Sequence, residues 1–206
     1  MKTFDAGKLA WQKSGGLLPA VVQDARDGAV LMLGWMNREA FEQTRSTGKA
    51  TFFSRSKQRL WEKGESSGNT LYVNELYTDC DADSILVLAT PQGPTCHAGT
   101  RSCFGEPMLP ALSFLARLDA LVAERERIRP AGSYTTRLFE SGTRRIAQKL
   151  GEEGVETALA ASGGNDAELL DESADLLFHL IVLLRARGKS LSDVAERLRA
   201  RHAAAA

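Results

Sequence analysis

In the stretch TDCDADSI, Thr78 to Ile85, Cys80 stands among Asp79, Asp81 and Asp83, inside a run that otherwise reads as an apolar strand. Alternate side chains of a strand share a face, so the spacing predicts three carboxylates on one side and the thiol on the other. Carboxylates that close repel one another unless a cation sits among them, and oxygen-only ligands favour a hard ion such as Mg2+. A solvated strand edge whose charges discourage aggregation is the competing reading.

The thiol has companions. Cys96 and Cys103 lie seven residues apart in GPTCHAGTRSCF, with His97 beside the first. Three cysteines, an odd number, argue for metal binding or thiol chemistry over a disulfide framework, the more so because MKTFDAGKLAWQKSGG lacks the pattern of a secretion signal. Three protein ligands with an open fourth position are the catalytic zinc arrangement, in which a bound water has its pKa lowered to about 7. A structural zinc site, or buried unreactive thiols, remain open on spacing alone. Between strand signals, FSRSKQRLWEKGESSGNTL offers the hydroxyls of Ser54, Ser66 and Ser67, backbone N–H groups around Gly64 and Gly68, and the charges of Arg55, Arg59 and Lys63. Such groups suit phosphate oxygens. Trp61 either stacks on a base or packs inside the fold.

A second constellation is acidic. Glu152, Glu153 and Glu156 fall at i, i+1 and i+4, and Glu172 and Asp175 are three apart. Those spacings put side chains on one helical face, so two antiparallel helices could bring four carboxylates to one cavity, a pattern that suits Mg2+ bridging a polyphosphate. Most Glu-rich faces are merely solvated. Glu172 and Asp175, however, sit amid LLDESADLLFHLIVLL, and a carboxylate beside a buried face needs a partner. Lys149, Arg144 and Arg145 could bind phosphate or form surface ion pairs; Lys149 has the better case, one turn before Glu153.

The elements that must carry these groups change character partway along the chain. LPAVVQD and AVLMLGWM, joined by ARDG, predict a hairpin at Asp27-Gly28, and KATFFSRS, TLYVNELYT and DSILVLAT continue the strand pattern. Asn37 caps an intervening helix, REAFEQTRST. Beyond the prolines near residue 110 the pattern is helical: PALSFLARLDALVAERER with Leu112, Leu115, Leu118 and Leu121 on one face, a helix starting at a Ser141 cap, another opening with Asn165 and Glu168 in capping-box spacing, and a last one in SLSDVAERLRARH. This shift predicts two domains in the 206 residues: a mostly-β (α+β) domain over 1–106, a linker at 107–111 and an all-α helical bundle over 112–206. Twelve basic and twelve acidic side chains precede Pro107 and fourteen of each follow it. The balance argues against a nucleic-acid or membrane surface and for small-molecule partners, and the protein is expected to be soluble and cytoplasmic.

FSRSKQRLWEKGESSGN, DCDAD and GPTCHAGTRSCF, in this order and spacing, closely resemble phosphoribosyl-AMP cyclohydrolase, a histidine-biosynthesis enzyme, over roughly Gly15 to Phe104. The resemblance implies zinc at Cys80, Cys96 and Cys103, magnesium at Asp79, Asp81 and Asp83, and substrate binding by Ser54, Arg55, Trp61, Lys63, Gly64, Ser66, Ser67 and Gly68. It further implies an intertwined homodimer whose zinc ligands come from both subunits. In phosphoribosyl-AMP the ribose phosphate on N1 makes C6 electrophilic, so zinc-activated water would open the purine ring at C6–N1 and give the formimino-AICAR ribonucleotide. His97 is the candidate for proton transfer, since histidine titrates near neutrality, or else supports the adjacent ligand.

KLGEEGVE followed by DESADLLFH resembles the all-α nucleotide pyrophosphohydrolases, and with SYTTRLFESGTRRIAQKLGEEGVETALAA the likeness is to phosphoribosyl-ATP pyrophosphohydrolase, over about Leu112 to Leu198. It implies Mg2+ held by Glu153, Glu156, Glu172 and Asp175, Glu152 as an additional ligand or base, and Lys149 on the substrate. The two resemblances name successive reactions, pyrophosphate release from phosphoribosyl-ATP and then ring opening of its product. A bifunctional enzyme of histidine biosynthesis is therefore the expectation. The alternative is a general nucleoside triphosphate pyrophosphohydrolase with a regulatory zinc-binding module.

Overall fold

The computed structural model describes residues 6–105 and 110–205. The chain divides into two compact units, Met1–Ser113 and Phe114–Ala206. Of the expected linker at 107–111, residues 107–109 lie outside the described residues.

The first unit is built on a four-stranded sheet. Strand β1 (Leu18–Asp24) alternates buried and half-buried residues, which puts Leu18, Ala20, Val22 and Asp24 on the core face. It turns at the predicted Asp27-Gly28 pair, where Gly28 has φ +77° and Asp27 accepts a bond from the Ala29 N–H. The chain then runs back antiparallel as β2 (Val30–Met36). Asn37 caps α1 (Arg38–Thr47) by accepting from the Ala40 N–H, and the helix buries Ala40, Phe41 and Thr44. Strands β5 (Leu71–Thr78) and β6 (Ile85–Pro91) form a second antiparallel hairpin, and β6 lies parallel to β1, giving the order β2-β1-β6-β5.

A separate ribbon pairs β3 (Thr51–Ser54) with β4 (Arg59–Glu62). β4 falls within the basic, glycine-containing stretch FSRSKQRLWEKGESSGNTL, for which the sequence pattern predicts no strand between Ser56 and Thr70. Its Trp61 stands opposite Phe52 with ring centroids 5.1 Å apart, a cross-strand aromatic pair of the kind that stabilises two-stranded ribbons.

The aspartate triplet is not on a strand. Thr78 and Ile85 are the last paired residues of the β5–β6 hairpin, so residues 79–84 are its loop. The Asp79 carboxylate accepts from the backbone N–H groups of Asp83 (3.0 Å) and Ser84 (3.1 Å) and from the Ser84 hydroxyl (2.6 Å), while Ala82 takes φ +62°. An aspartate that folds the backbone onto its own side chain competes with the ladder and ends the strand. Face alternation therefore does not place Cys80.

The second unit consists of α2 (Ser113–Ile128), α3 (Tyr134–Glu140), α4 (Gly142–Gly163), α5 (Asp166–Ala186) and α6 (Leu191–Ala205). Helices α4 and α5 are joined through Gly164 and Asn165, a connection so short that they pack antiparallel. Asn165 accepts from the Glu168 N–H and its amide reaches the Glu168 carboxylate, as the capping pair predicts. Val122, Leu138, Phe139, Ile146, Ile181 and Val182 form the core.

Two helical expectations are corrected. Ser141 does precede α4, but with helical backbone and no side-chain cap bond; its N–H closes α3 on the Arg137 carbonyl, its hydroxyl donates back to the Leu138 carbonyl, and Gly142, opening α4 at φ +81°, breaks the continuity of the two helices. The leucine stripe of α2 does not stay on one face, because a three-residue step lags the helix by about 60° each time. Leu112 precedes the helix and is exposed, Leu121 is exposed on it, and the core takes Val122, with Leu118 packed against it. Beside Val122, buried Asp119 accepts from Arg185 of α5. Among the described residues no helix is long and apolar enough to cross a membrane.

Candidate active sites

In the first unit a cavity of about 480 Å³ is lined by Trp61, Lys63, Gly64, Ser66 and Ser67 on one side and by Thr95, Cys96, His97 and Cys103 on the other. The β4 ribbon and its following turn supply the first wall, and the segment after β6 the second. Gly64 is required by the turn: it has φ +93°, and a Cβ there would stand 2.6 Å from the Asn69 carbonyl carbon. The Cys96 thiol is lowered from its ordinary value by the Ala98 N–H and the Thr100 hydroxyl, with a further bond to Cys103. Burial pushes the Cys103 thiol up, as does its proximity to Cys96. Lys63 is buried against them, donating to the Asn69 carbonyl at 3.3 Å. Burial lowers its pKa, while the two cysteines act in the other direction. His97 Nδ1 lies 3.9 Å from Cys96 Sγ.

Not every predicted contact gathers here. Ser54 borders a smaller neighbouring cavity of about 200 Å³ with Lys57, Arg59, Trp61 and Glu65. The Arg55 guanidinium lies 4.4 Å over the Trp35 ring, and Gly68 closes the 64–68 turn without lining either cavity. Cys80 is exposed on the β5–β6 loop, and among the described residues the three cysteines form no common ligand cluster. Cys96 and Cys103 thus fit two positions of a thiolate zinc site, with the third outside this cavity. Asp79, Asp81 and Asp83 do converge, with ligand oxygens within 4.8 Å of one another, a spacing that fits a hard cation. Lys13 partly neutralises them, 2.6 Å from Asp81 and 3.3 Å from Asp83. Hydrogen bonds from Ser84 hold the Asp79 carboxyl down at about 2.

In the helical unit Glu153, Glu156 and Glu172 bring carboxylate oxygens within 4.8 Å of one another across α4 and α5. Glu153 is only 5% exposed, and its partners are Lys149 at 3.0 Å and His179 at 3.6 Å. Burial, then the neighbouring Glu156 and Glu153 charges, push the Glu172 carboxyl up. Such crowding fits a divalent cation, which would relieve the repulsion. Asp175 stands beside the three, close enough to act on Glu172 but outside their cluster. Glu152 turns away, held by Gln148 and Lys149 at 2.9 Å and by Arg145 at 3.6 Å. Arg144 is exposed.

His179 belongs to this site and went unremarked in the sequence, although it follows Glu172 and Asp175 at i+7 and i+4. It is buried, which lowers its pKa, and its Nε2 lies 3.5 Å from the Tyr134 hydroxyl. Equally unremarked were the buried ion pairs among Asp24, Asp27 and Arg101 behind the cysteine segment.

Residues 32–105 match the phosphoribosyl-AMP cyclohydrolase family and residues 115–202 the phosphoribosyl-ATP pyrophosphohydrolase family. The chain is similar throughout to proteins called "Histidine biosynthesis bifunctional protein HisIE". It is 66% identical over 194 residues to that of Xanthomonas campestris pv. campestris, covering 94% of this chain and 93% of the relative. The relative of Xylella fastidiosa strain Temecula1 is 63% identical with the same coverage, and that of Escherichia coli K12 is 56% identical over 195 residues, 95% of this chain and 96% of the relative. With both halves matched in order and full-length relatives well above half identical, the chain belongs to the family of bifunctional histidine-biosynthesis proteins that join a phosphoribosyl-AMP cyclohydrolase to a phosphoribosyl-ATP pyrophosphohydrolase.

Proposed function

We propose that the helical unit releases pyrophosphate from phosphoribosyl-ATP at the Glu153–Glu156–Glu172 cluster, and that the strand-rich unit opens the purine ring of the resulting phosphoribosyl-AMP at C6–N1 in the Cys96–Cys103 cavity. The formimino-AICAR ribonucleotide is the product. The observation that carries this reading is that each motif set gathers its chemistry inside a different compact unit: thiols, a buried lysine and a histidine around one cavity, and three crowded carboxylates between two helices. The corresponding assignment is cyclohydrolase over 1–106, linker over 107–111 and pyrophosphohydrolase over 112–206.

Zinc, when bound by Cys96 and Cys103 with Cys80 of a second subunit, supplies a water deprotonated near neutral pH. The chain's own groups do the rest. Trp61 offers its face to the purine, Lys63, Ser66 and Ser67 take phosphate oxygens, and His97 stands where a proton must be passed to or from the opening ring. In the helical unit Mg2+ on Glu153, Glu156 and Glu172, with Asp175 nearby, supplies charge neutralisation for the phosphoanhydride. Lys149 bridges Glu152 and Glu153, which raises its pKa and keeps it charged beside the leaving pyrophosphate. Mg2+ at Asp79, Asp81 and Asp83 completes the metal assignments, with a cytoplasmic homodimer as the working assembly.

Product analysis with phosphoribosyl-ATP tests the division of labour. Cys103→Ser should accumulate phosphoribosyl-AMP, with ring opening reduced by at least about a hundredfold and pyrophosphate release unchanged. Glu172→Gln should stop pyrophosphate release yet still open the ring of supplied phosphoribosyl-AMP. Parallel loss of both activities in either folded variant would contradict separate sites.

A further inference from the structure

The two thiols of the cavity are carried on a segment with little apolar side chain of its own to bury, and residues 97–100 are exposed. Its internal closure is made by backbone bonds: the Cys96 N–H donates to the Thr100 carbonyl (3.0 Å) and the Thr95 N–H to that of Arg101 (3.3 Å). What fastens it to the sheet is polar. The Arg101 guanidinium reaches back to the β1–β2 turn and donates to Asp24 and to Asp27, each at 2.7 Å. Asp24 is 1% exposed, and Arg26 also donates to it, at 2.9 Å and 2.7 Å. Directly after Arg101, the buried Ser102 hydroxyl donates to the Val30 carbonyl and the Cys103 N–H donates to the Leu31 carbonyl, both at 2.8 Å.

Thus Arg101, which lines neither cavity, sits between the two thiols in sequence and is bonded to two carboxylates of the sheet. A charge-assisted bond to a buried carboxylate is short and directional, and a segment without an apolar anchor depends on it for its position. We propose that Arg101, acting through Asp24 and Asp27, is a positioning residue that holds Cys96 and Cys103 at the separation a shared metal ion requires. The inference rests on the reading of Cys96 and Cys103 as zinc ligands. Its chemistry is that of groups behind a metal site, which orient the ligands without touching the ion.

The test is zinc affinity of the full-length protein, measured by competition with a chromogenic chelator. Arg101→Ala should lose about 10- to 100-fold in affinity. Arg26→Ala removes a partner of the same buried carboxylate without touching the thiol segment, and should stay close to the parent. Excess zinc should restore part of the ring-opening rate of Arg101→Ala, and its pyrophosphate release should be unchanged. Should the alanine variant fail to fold, Arg101→Lys, which keeps the charge but loses the fork, is expected to show a smaller loss in the same direction. Equal losses in the Arg101 and Arg26 variants would reduce the network to general stability and overturn the proposal, as would parent-like affinity in the Arg101 variants. Cys103→Ser separates the two levels: if it binds zinc as the parent does, the zinc reading itself fails.

Discussion

At the scale of single residues, Asp24 is where sequence and chemistry part company most clearly. It closes β1 as one more polar end of a strand, yet it is buried and carries both Arg26 and Arg101. Burial alone would raise its pKa; the hydrogen bonds from Arg26 and Arg101 outweigh that and hold the carboxyl below its ordinary value. A carboxyl lowered in the folded state adds stability at pH above its unfolded value, about 3.9, and loses it as the pH falls through its folded value. Asp24→Asn should therefore cost about 3–5 kcal/mol at neutral pH, the range for stranding partners of a buried pair. The deficit should shrink as the pH drops from about 5 towards 3. Urea unfolding followed by tryptophan fluorescence reads this directly, because Trp11, Trp35 and Trp61 all lie in the strand unit; a deficit independent of pH would refute the account. That Cys96 and Cys103 line one cavity and that Glu153, Glu156 and Glu172 meet across two helices was legible from composition and spacing. The groups behind the thiols were not, because Asp24 and Arg101 are 77 positions apart and are brought together by the parallel pairing of β1 with β6 and by the bonds of Ser102 and Cys103 to β2.

At the scale of elements, regular periodicity transferred well and loops did not. β1, α1, β6 and α5 follow their alternation or caps closely, while β2 and β5 form as strands but slip phase, at Leu31–Met32 and at the irregularity between Val73 and Glu75. In the strand unit the departures are local: Asp79 competes with the backbone ladder and turns an apparent strand into a hairpin loop, whereas in the glycine-rich basic stretch the Trp61–Phe52 pair supports a ladder and gives β4. The turn after β4 carries its own prediction. Gly64→Ala puts a methyl group 2.6 Å from backbone atoms of Asn69 in a left-handed conformation, whereas Gly68, at φ +76°, has open space around its Cβ position. Both substitutions carry the left-handed penalty of roughly 1–2 kcal/mol, but Gly64→Ala must also displace the turn that forms a cavity wall. It should lower the thermal midpoint more than Gly68→Ala and raise KM for phosphoribosyl-AMP. Equal effects of the two would remove the steric argument.

At the scale of the whole molecule, two units with separate cores carry the two family signatures in order. The composition break near residue 110 made that division readable, since alternation of period two and helical spacing cannot share one pattern. The placement of Cys80 apart from the cavity of Cys96 and Cys103 has a consequence in the language of genetics and dilution. If the proposed site draws Cys80 from one subunit and the other thiols from its partner, then Cys80→Ser and Cys103→Ser chains are each inactive alone but complement each other. A co-expressed mixture should recover about a quarter of the parent ring-opening activity, since half the dimers pair unlike chains and each such dimer holds one intact site of two. No recovery on mixing would return all three thiols to a single chain. Recovery would make ring opening, unlike most single-chain chemistry, a property of the pair, with a specific activity that falls as the enzyme is diluted towards its subunit dissociation constant.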